Sequence, residues 1–94
     1  MIKGYRLVAR RFKTKAGEID LIARKGDLVI MVEVKARPTV QAAVDAVSHS
    51  AKRRINNAAD LWHSQQTDAA QLSIRFDIMA VCPGKWPVHL ADAF

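Results

Sequence analysis

The sequence predicts an α/β domain in which a mixed sheet of about four to five strands is flanked by a helix. Three observations support this fold class. Alternating and β-branched segments fill residues 5–36, the apolar period changes to three and four residues over 40–63, and alternation returns over 72–80. A chain of 94 residues is long enough for one compact domain, so residues 1–94 are interpreted as a single domain.

Three strands are predicted in the first part of the chain, over residues 5–12, 18–23 and 28–36. A turn-like segment over 14–17 separates the first two. The polar segment 24–27, which contains Gly26, is typical of a hairpin connection. The third strand begins with five apolar residues, so we expect it to be central and buried on both faces. Pro38 ends this strand.

The middle of the chain predicts one amphipathic helix over residues 40–63, followed by a loop over 64–68. The apolar residues that recur at helical spacing are Val44, Val47, Ala51, Ile55, Ala58 and Trp62. A fourth strand is predicted over 72–80. Residues 86–90 are interpreted as a short edge strand, because Pro87 lacks the N–H group that a central strand needs.

The net charge of +6 is concentrated in the first 40 residues, which contain ten of the fifteen Lys and Arg but only four acids. Such a basic excess favours a polyanionic partner such as a nucleic acid, although a surface kept soluble by its charge explains it too. The cations predicted to contact nucleic acid are Arg10, Arg11, Lys13, Lys15, Arg37, Lys52 and Arg53.

The sequence predicts a cytoplasmic protein without a membrane partner. No apolar run approaches the roughly 20 residues that span a bilayer, and the first residues lack the apolar stretch of a signal peptide. The single cysteine, Cys82, excludes an internal disulfide and fits a reducing compartment.

Charged residues interrupt two neighbouring predicted strands. Glu33 and Lys35 follow the apolar start of the third strand two residues apart, so their side chains share one face. Glu18 and Asp20 share a face of the second strand by the same rule. With the turn centred within residues 24–27, Asp20 falls near the position opposite residue 31, within diagonal reach of Glu33, and the sequence leaves the exact register open.

Carboxylates that converge in this way form an oxygen-rich site of the kind that Mg²⁺, or Mn²⁺, prefers. An ion held there can activate water and neutralise charge on a phosphodiester, and Lys35 adds a compact positive charge beside it. The alternative is an exposed Glu33–Lys35 pair that points into water and has no chemical role. Asp77 lies amid apolar residues, where an approach to this site and a buried hydrogen-bonding role are both open.

Four blocks of the sequence carry a resemblance to a known family: GEIDLIAR over residues 17–24, VEVKAR over 32–37, RFDI over 75–78, and the closing Ala-Phe. Over essentially the whole chain they resemble the YraN family of uncharacterised bacterial proteins. That family is assigned to the restriction-endonuclease-like fold, the PD-(D/E)XK superfamily, and is similar to archaeal Holliday-junction resolvases. The resemblance therefore implies a restriction-endonuclease-like sheet and a nuclease-type site.

The resemblance also implies roles for individual residues. Asp20 and Glu33 are placed as metal ligands, and Lys35 as the catalytic lysine. The Val34 carbonyl is a possible third ligand, and Glu18 is given a supporting or second-ligand role. Family members usually begin with a helix that carries another acid, and this helix is expected to be absent from the present sequence. A homodimer is expected by analogy with the resolvases.

The function favoured by these observations is binding of DNA, with RNA as the less favoured nucleic acid, and Mg²⁺-dependent endonuclease hydrolysis of phosphodiesters. The first alternative is a nucleic-acid-binding module that retains the fold but does not cut. The second is a protein–protein interaction subunit whose carboxylates are structural. Binding that weakens as salt rises separates the first two functions from the third, because only they neutralise phosphates.

Overall fold

A computed structural model, which describes Ile2 and residues 4–94, contains a five-stranded sheet and two α-helices. In chain order the elements are β1 (Arg6–Lys13), β2 (Glu18–Lys25), β3 (Leu28–Ala36), α1 (Val40–Asp45), α2 (His49–Ser64), β4 (Ser73–Val81) and β5 (Val88–Leu90). A short 3-10 turn, Ala69–Gln71, precedes β4. The mixed α/β class predicted from the sequence is confirmed.

The strand β3 lies at the centre of the sheet, whose order follows the chain from β1 to β5. It is antiparallel to β2 and parallel to β4. A parallel neighbour requires a crossover connection, and this crossover contains both helices. Residues 29–32 are fully buried, which confirms the prediction of a central strand covered on both faces. The edge position predicted for β5 is confirmed as well.

Two apolar clusters lie on opposite faces of the sheet. On the first face, α2 packs over a cluster that includes Ile22 and Met31. On the second face, Ile30 and Val32 pack with Ile2. Because side chains alternate along a strand, the odd-numbered residues of β3 point toward the face that α2 covers.

The single helix predicted over 40–63 is wrong, because two helices are separated there by residues 46–48. The side chain of Ser48 caps α2, since its Oγ accepts a hydrogen bond from the N–H of Ala51 at 3.1 Å. Val47, within the break, is buried. It therefore extends the apolar pattern without being helical, and the serine cap is the signal that marks the break.

The β2–β3 hairpin closes through a tighter turn than the sequence predicted. The connection has two residues and begins with Gly26, whose φ of +61° suits a residue without Cβ. The observed register therefore differs by two residues from the approximate one that the sequence suggested. The ladder ends with Leu21 opposite Val32, and its continuation sets Asp20 directly opposite Glu33 rather than on a diagonal.

The turn between β1 and β2 contacts α2 at Gly17. A Cβ added to Gly17 would lie 3.1 Å from Arg54 Cβ and 3.2 Å from the Arg54 carbonyl oxygen, which is tighter than ordinary van der Waals contact. Glycine is required here because the two backbones approach closely. This contact holds α2 over the beginning of β2, where Glu18 and Asp20 lie.

The longest helix is α2, with 16 residues, many of which are charged or polar. Among the helices of the described residues, none is long and apolar enough to cross a membrane. The cytoplasmic location stays a prediction.

Candidate metal centre

Asp20 and Glu33 face one another where the β2–β3 ladder ends. The backbone N–H of Asp20 donates a hydrogen bond to Glu33 Oε2 at 3.2 Å, and the N–H of Val34 donates to Asp20 Oδ2 at 2.8 Å. Each carboxylate thus accepts from the backbone of the opposite strand, as a ladder carbonyl would. This reciprocal exchange, which we call the carboxylate pair, brings together the two acids that the sequence predicted to converge.

The environment of the carboxylate pair is poorly solvated. Only 7% of Glu33 is exposed, whereas Asp20 is half-buried. Burial raises the pKa of Glu33 to about 7, and the charge of Asp20 adds to the rise. The hydrogen bond from the Asp20 backbone and the charge of Lys35 oppose it. The pair is therefore a place where a proton or a cation relieves the repulsion between two carboxylates.

Lys35 lies two residues beyond Glu33 on β3 and projects to the same face. Its side chain is half-buried, and its positive charge acts to lower the pKa of Glu33, so the two groups are near enough to interact. Val34, between them, is exposed. The shared face of Glu33 and Lys35 is confirmed, whereas a ligand role for the Val34 carbonyl stays a prediction.

Glu18 flanks the carboxylate pair and is held by an arginine of the neighbouring strand. Arg11 Nε donates to Glu18 Oε1 at 3.2 Å, and both side chains are exposed to solvent. Arg11 has φ of +51°, a left-handed conformation that is costly for a residue other than glycine. Glu18 also adds a smaller repulsion to Glu33. The position of Glu18 fits the supporting role that the resemblance implies, and that role stays a prediction.

Six of the seven cations predicted to contact nucleic acid are exposed, and they are spread over three parts of the surface. Four lie on β1 or in the turn after it: Arg10, Arg11, Lys13 and Lys15. Arg37 follows β3, and Arg53 is exposed on α2. Lys52 differs from the others, because it is half-buried and its Nζ lies 6.0 Å from the centre of the Phe94 ring.

Asp77 lies on the sheet face opposite to Glu33, since the β3–β4 register pairs it with Val32. Its carboxylate is fully buried and accepts hydrogen bonds from Arg75 and from a backbone N–H, and it contacts His89 Nε2 at 2.6 Å. Of the two roles left open by the sequence, the buried hydrogen-bonding role is therefore confirmed. Asp77 is not a member of the carboxylate pair.

The donor set of the carboxylate pair fits a hard divalent cation. The hydrogen bonds described above engage Glu33 Oε2 and Asp20 Oδ2, which leaves the second oxygen of each carboxylate for an ion. Mg²⁺ keeps several waters and needs only one or two protein carboxylates. Across Ile2 and residues 4–94, no three His, Cys, Asp or Glu side chains are grouped to hold a metal. The arrangement suits an ion that is shared with a substrate phosphate.

We expect Glu33 to make the free energy of unfolding fall as pH rises. Its folded pKa of about 7 exceeds the ordinary 4.5, so between these two pH values the folded state keeps a proton that the unfolded state has lost. The free energy of unfolding therefore decreases by about 3 kcal/mol in total across this window and is constant above it. Urea denaturation without metal at about pH 5 and pH 8 measures the fall.

Glu33→Gln should flatten this profile and should be more stable than the wild type at the higher pH. Asp27→Asn is the matched control, because Asp27 is an exposed carboxylate in the turn of the same hairpin. Equal slopes in the wild type and in Glu33→Gln would assign the pH dependence to another group.

Comparisons with known proteins all point to one family. The model of a family described as Uncharacterised protein family UPF0102 matches residues 1–81. The chain is 61% identical over 93 residues to a UPF0102 protein of Chelativorans sp. (strain BNC1), covering 99% of this chain and 75% of that protein. It is 57% identical over 94 residues to UPF0102 protein mlr4633 of Mesorhizobium japonicum, covering 100% and 75%. Its identity to UPF0102 protein R00337 of Rhizobium meliloti is 60% over 94 residues, covering 100% and 77%.

Proposed function

This chain belongs to the UPF0102 family, and on that premise we propose that it is a magnesium-dependent endonuclease that hydrolyses DNA phosphodiesters. The family match bears out the resemblance to the YraN proteins. Membership of the PD-(D/E)XK superfamily, with its restriction-endonuclease-like fold, is part of the proposal. It is supported by the positions of the two acidic sequence blocks, which fall on the adjacent strands β2 and β3.

The observation that carries the proposal is the carboxylate pair with Lys35 beside it. An Asp on one strand and a Glu-x-Lys on the next are the residues that the resemblance implies for metal binding and hydrolysis. Here Asp20 and Glu33 exchange hydrogen bonds across the two strands, and Lys35 shares the face of Glu33. A purely structural Glu–Lys pair at a strand end does not require a buried carboxylate whose pKa is raised to about 7.

In the proposed reaction, Asp20 and Glu33 would hold a divalent cation. When bound, the ion supplies Lewis acidity, which activates water and neutralises negative charge on the phosphodiester. Lys35 places an ammonium group on the same face, where it stabilises the charge that develops on the phosphate oxygens. The burial of Glu33 excludes bulk water from one side of the pair, which strengthens each of these charge interactions.

The substrate class is supported by the distribution of charge. The four exposed cations of β1 and its turn belong to the strand and turn that lead directly into β2, which carries Asp20. Contacts of such cations with phosphates position a nucleic acid without reading its sequence. In the proposal, these residues hold the DNA backbone while the carboxylate pair acts on one phosphate.

Cleavage of linear and branched DNA tests the proposal. We expect the wild type to cut with Mg²⁺ or Mn²⁺ and to stop when EDTA is added, because the carboxylate pair alone provides no Lewis acid. Product formation is followed on a denaturing gel, and binding is measured in parallel at rising salt. A protein that neither cuts nor binds DNA at low salt would contradict the proposal.

A non-cleaving nucleic-acid-binding module is the second candidate function. It is favoured by one observation, namely that only two carboxylates meet directly at the site among the described residues. In that function the exposed cations bind phosphates and the carboxylate pair has a structural role. Salt-sensitive binding without any metal-dependent cleavage would establish this alternative in place of the first.

A further inference from the structure

We propose that a cavity at the carboxyl ends of β3 and β4, together with Trp86, binds an unpaired nucleobase. The proposal rests on the proposed function and adds a base-binding subsite to it. The cavity has a volume of about 400 Å³ and is lined by Ala36, Arg37, Pro38, Val81, Cys82 and Pro83. A volume of this size lies within the range of pockets that hold small organic groups.

Trp86 is a large aromatic side chain presented to solvent by the segment that follows the wall residues Cys82 and Pro83. It is 90% exposed, whereas the second tryptophan, Trp62, is 5% exposed and belongs to the core. The β4–β5 pairing ends with Ala80 opposite Val88, and the segment that joins these two residues contains Cys82 and Pro83 of the cavity wall as well as Trp86. The large apolar surface of an exposed tryptophan is buried only when a ligand or another molecule stacks on it.

The loop that carries Trp86 is held by a defined turn. The N–H of Lys85 donates to the carbonyl of Cys82 at 3.3 Å, and Gly84 has φ of +69°. Pro83 followed by glycine at a positive φ is the sequence of a type II turn. The aromatic side chain is therefore presented on a constrained loop, which lowers the entropy lost when a ligand stacks on it.

The surroundings of the cavity select the chemistry of its occupant. The wall is mainly apolar, but Arg37 lines it, and Lys85 precedes the exposed tryptophan. The six residues of the wall and residues 84–87, which follow them, contain no Asp or Glu. A nucleotide matches both features, since it joins a flat apolar base to an anionic phosphate. A second copy of this chain would instead bring Arg37 and Lys85 near their own equivalents, which repel them.

The cavity lies at the end of the strand that carries Glu33, and the side chain of Ala36 points to the sheet face opposite to that of Glu33. Ala36, at the edge of the cavity, is three residues beyond Glu33, which is about 10 Å along an extended strand. In a duplex the bases are paired and stacked, so a base enters the cavity only from single-stranded or branched nucleic acid. The subsite thus predicts a preference for substrates with unpaired bases.

Binding of two strands that differ only in their bases tests this proposal. The probes are an oligothymidylate and an abasic deoxyribose-phosphate strand of equal length, both in EDTA so that neither is cut. We expect the wild type to bind the oligothymidylate about five- to tenfold more tightly, with quenching of tryptophan emission. Trp86→Ala should bind both strands equally and lose the quenching, because Trp62 is buried. Leu61→Ala, which truncates an exposed apolar residue of α2, is the matched control.

The possible results separate this subsite from the proposed function. Equal, salt-sensitive binding of both strands by the wild type would overturn the base subsite and leave the nuclease proposal standing. Failure to bind either strand would overturn both. Self-association of the wild type that Trp86→Ala abolishes, measured by sedimentation without nucleic acid, would show that a second copy covers the cavity and would also overturn the subsite.

Discussion

Asp20→Asn and Lys35→Ala are each expected to slow Mg²⁺-dependent cleavage by about a hundredfold or more, because each removes a charge placed at the reacting phosphate. The Asn side chain keeps a carbonyl oxygen that accepts from the Val34 N–H, so the hairpin geometry survives while the negative charge is lost. Single-turnover cleavage at saturating DNA measures the chemical step separately from binding.

Two substitutions at the other end of the same hairpin provide matched controls. Asp27→Asn and Lys25→Ala make the same chemical changes next to the Gly26 turn, away from the carboxylate pair. They should leave the cleavage rate unchanged. A wild-type rate in Asp20→Asn or in Lys35→Ala would remove that residue from the proposed site, and weaker DNA binding by Asp20→Asn would indicate a structural rather than a catalytic defect.

The members of the carboxylate pair were predictable from the sequence, but their exact opposition was not. Alternation places side chains on a face whatever the partner strand, so the shared face of Glu33 and Lys35 followed from their spacing alone. The opposition of Asp20 and Glu33 depends on how many residues the turn uses. The polar segment 24–27 suggested a longer connection, whereas the strands extend until only two residues remain between them. A shift of two residues preserves the face, so the pair was identified although the register was only approximate.

Features that depend on distant parts of the chain were the least predictable. Val47 fits a helical period because it is buried, yet it lies in the break between two helices. The exposure of Trp86 depends on which strands lie beside its loop, and the adjoining cavity is formed by residues from the ends of β3 and β4. The sequence also did not determine toward which face of the sheet Asp77 points, because that depends on the register of the parallel strands β3 and β4.

Asp77→Ala is expected to lower the free energy of unfolding by about 3–5 kcal/mol, a large part of the stability of a small domain. Asp77 is fully buried, and Arg75 binds it with both arms of the guanidinium, Nε to Oδ1 at 2.9 Å and Nη2 to Oδ2 at 2.7 Å. Burial alone would raise the pKa of Asp77, but these bonds, with those from the Asp92 N–H and His89, hold the pKa below its ordinary value. Removing the carboxylate takes away the partner of the Arg75 guanidinium, of His89 Nε2 and of the Asp92 N–H at once.

Asp68→Ala is the matched control for this loss, measured in the same urea titration at neutral pH. Asp68 also pairs with an arginine, Arg24 Nη2 to Oδ2 at 2.8 Å, but its side chain is 35% exposed, so water replaces the lost contact. We expect a much smaller change there. An Asp77→Ala variant no less stable than Asp68→Ala would show that the buried Asp77 network adds no more stability than one partly exposed ion pair.

The residues at which hydrogen exchange rises in Asp77→Ala should show which part of the fold Asp77 stabilises. Asp77 Oδ2 contacts His89 of β5, and Asp77 Oδ1 accepts the N–H of Asp92, so this carboxylate joins the short edge strand and the final residues to β4. β5 itself pairs with β4 over only three residues. Hydrogen exchange in Asp77→Ala should therefore rise most in residues 88–94, while the central strand β3 stays protected until global unfolding. A uniform rise in exchange would instead show that the Asp77 network supports the whole core rather than the edge it contacts.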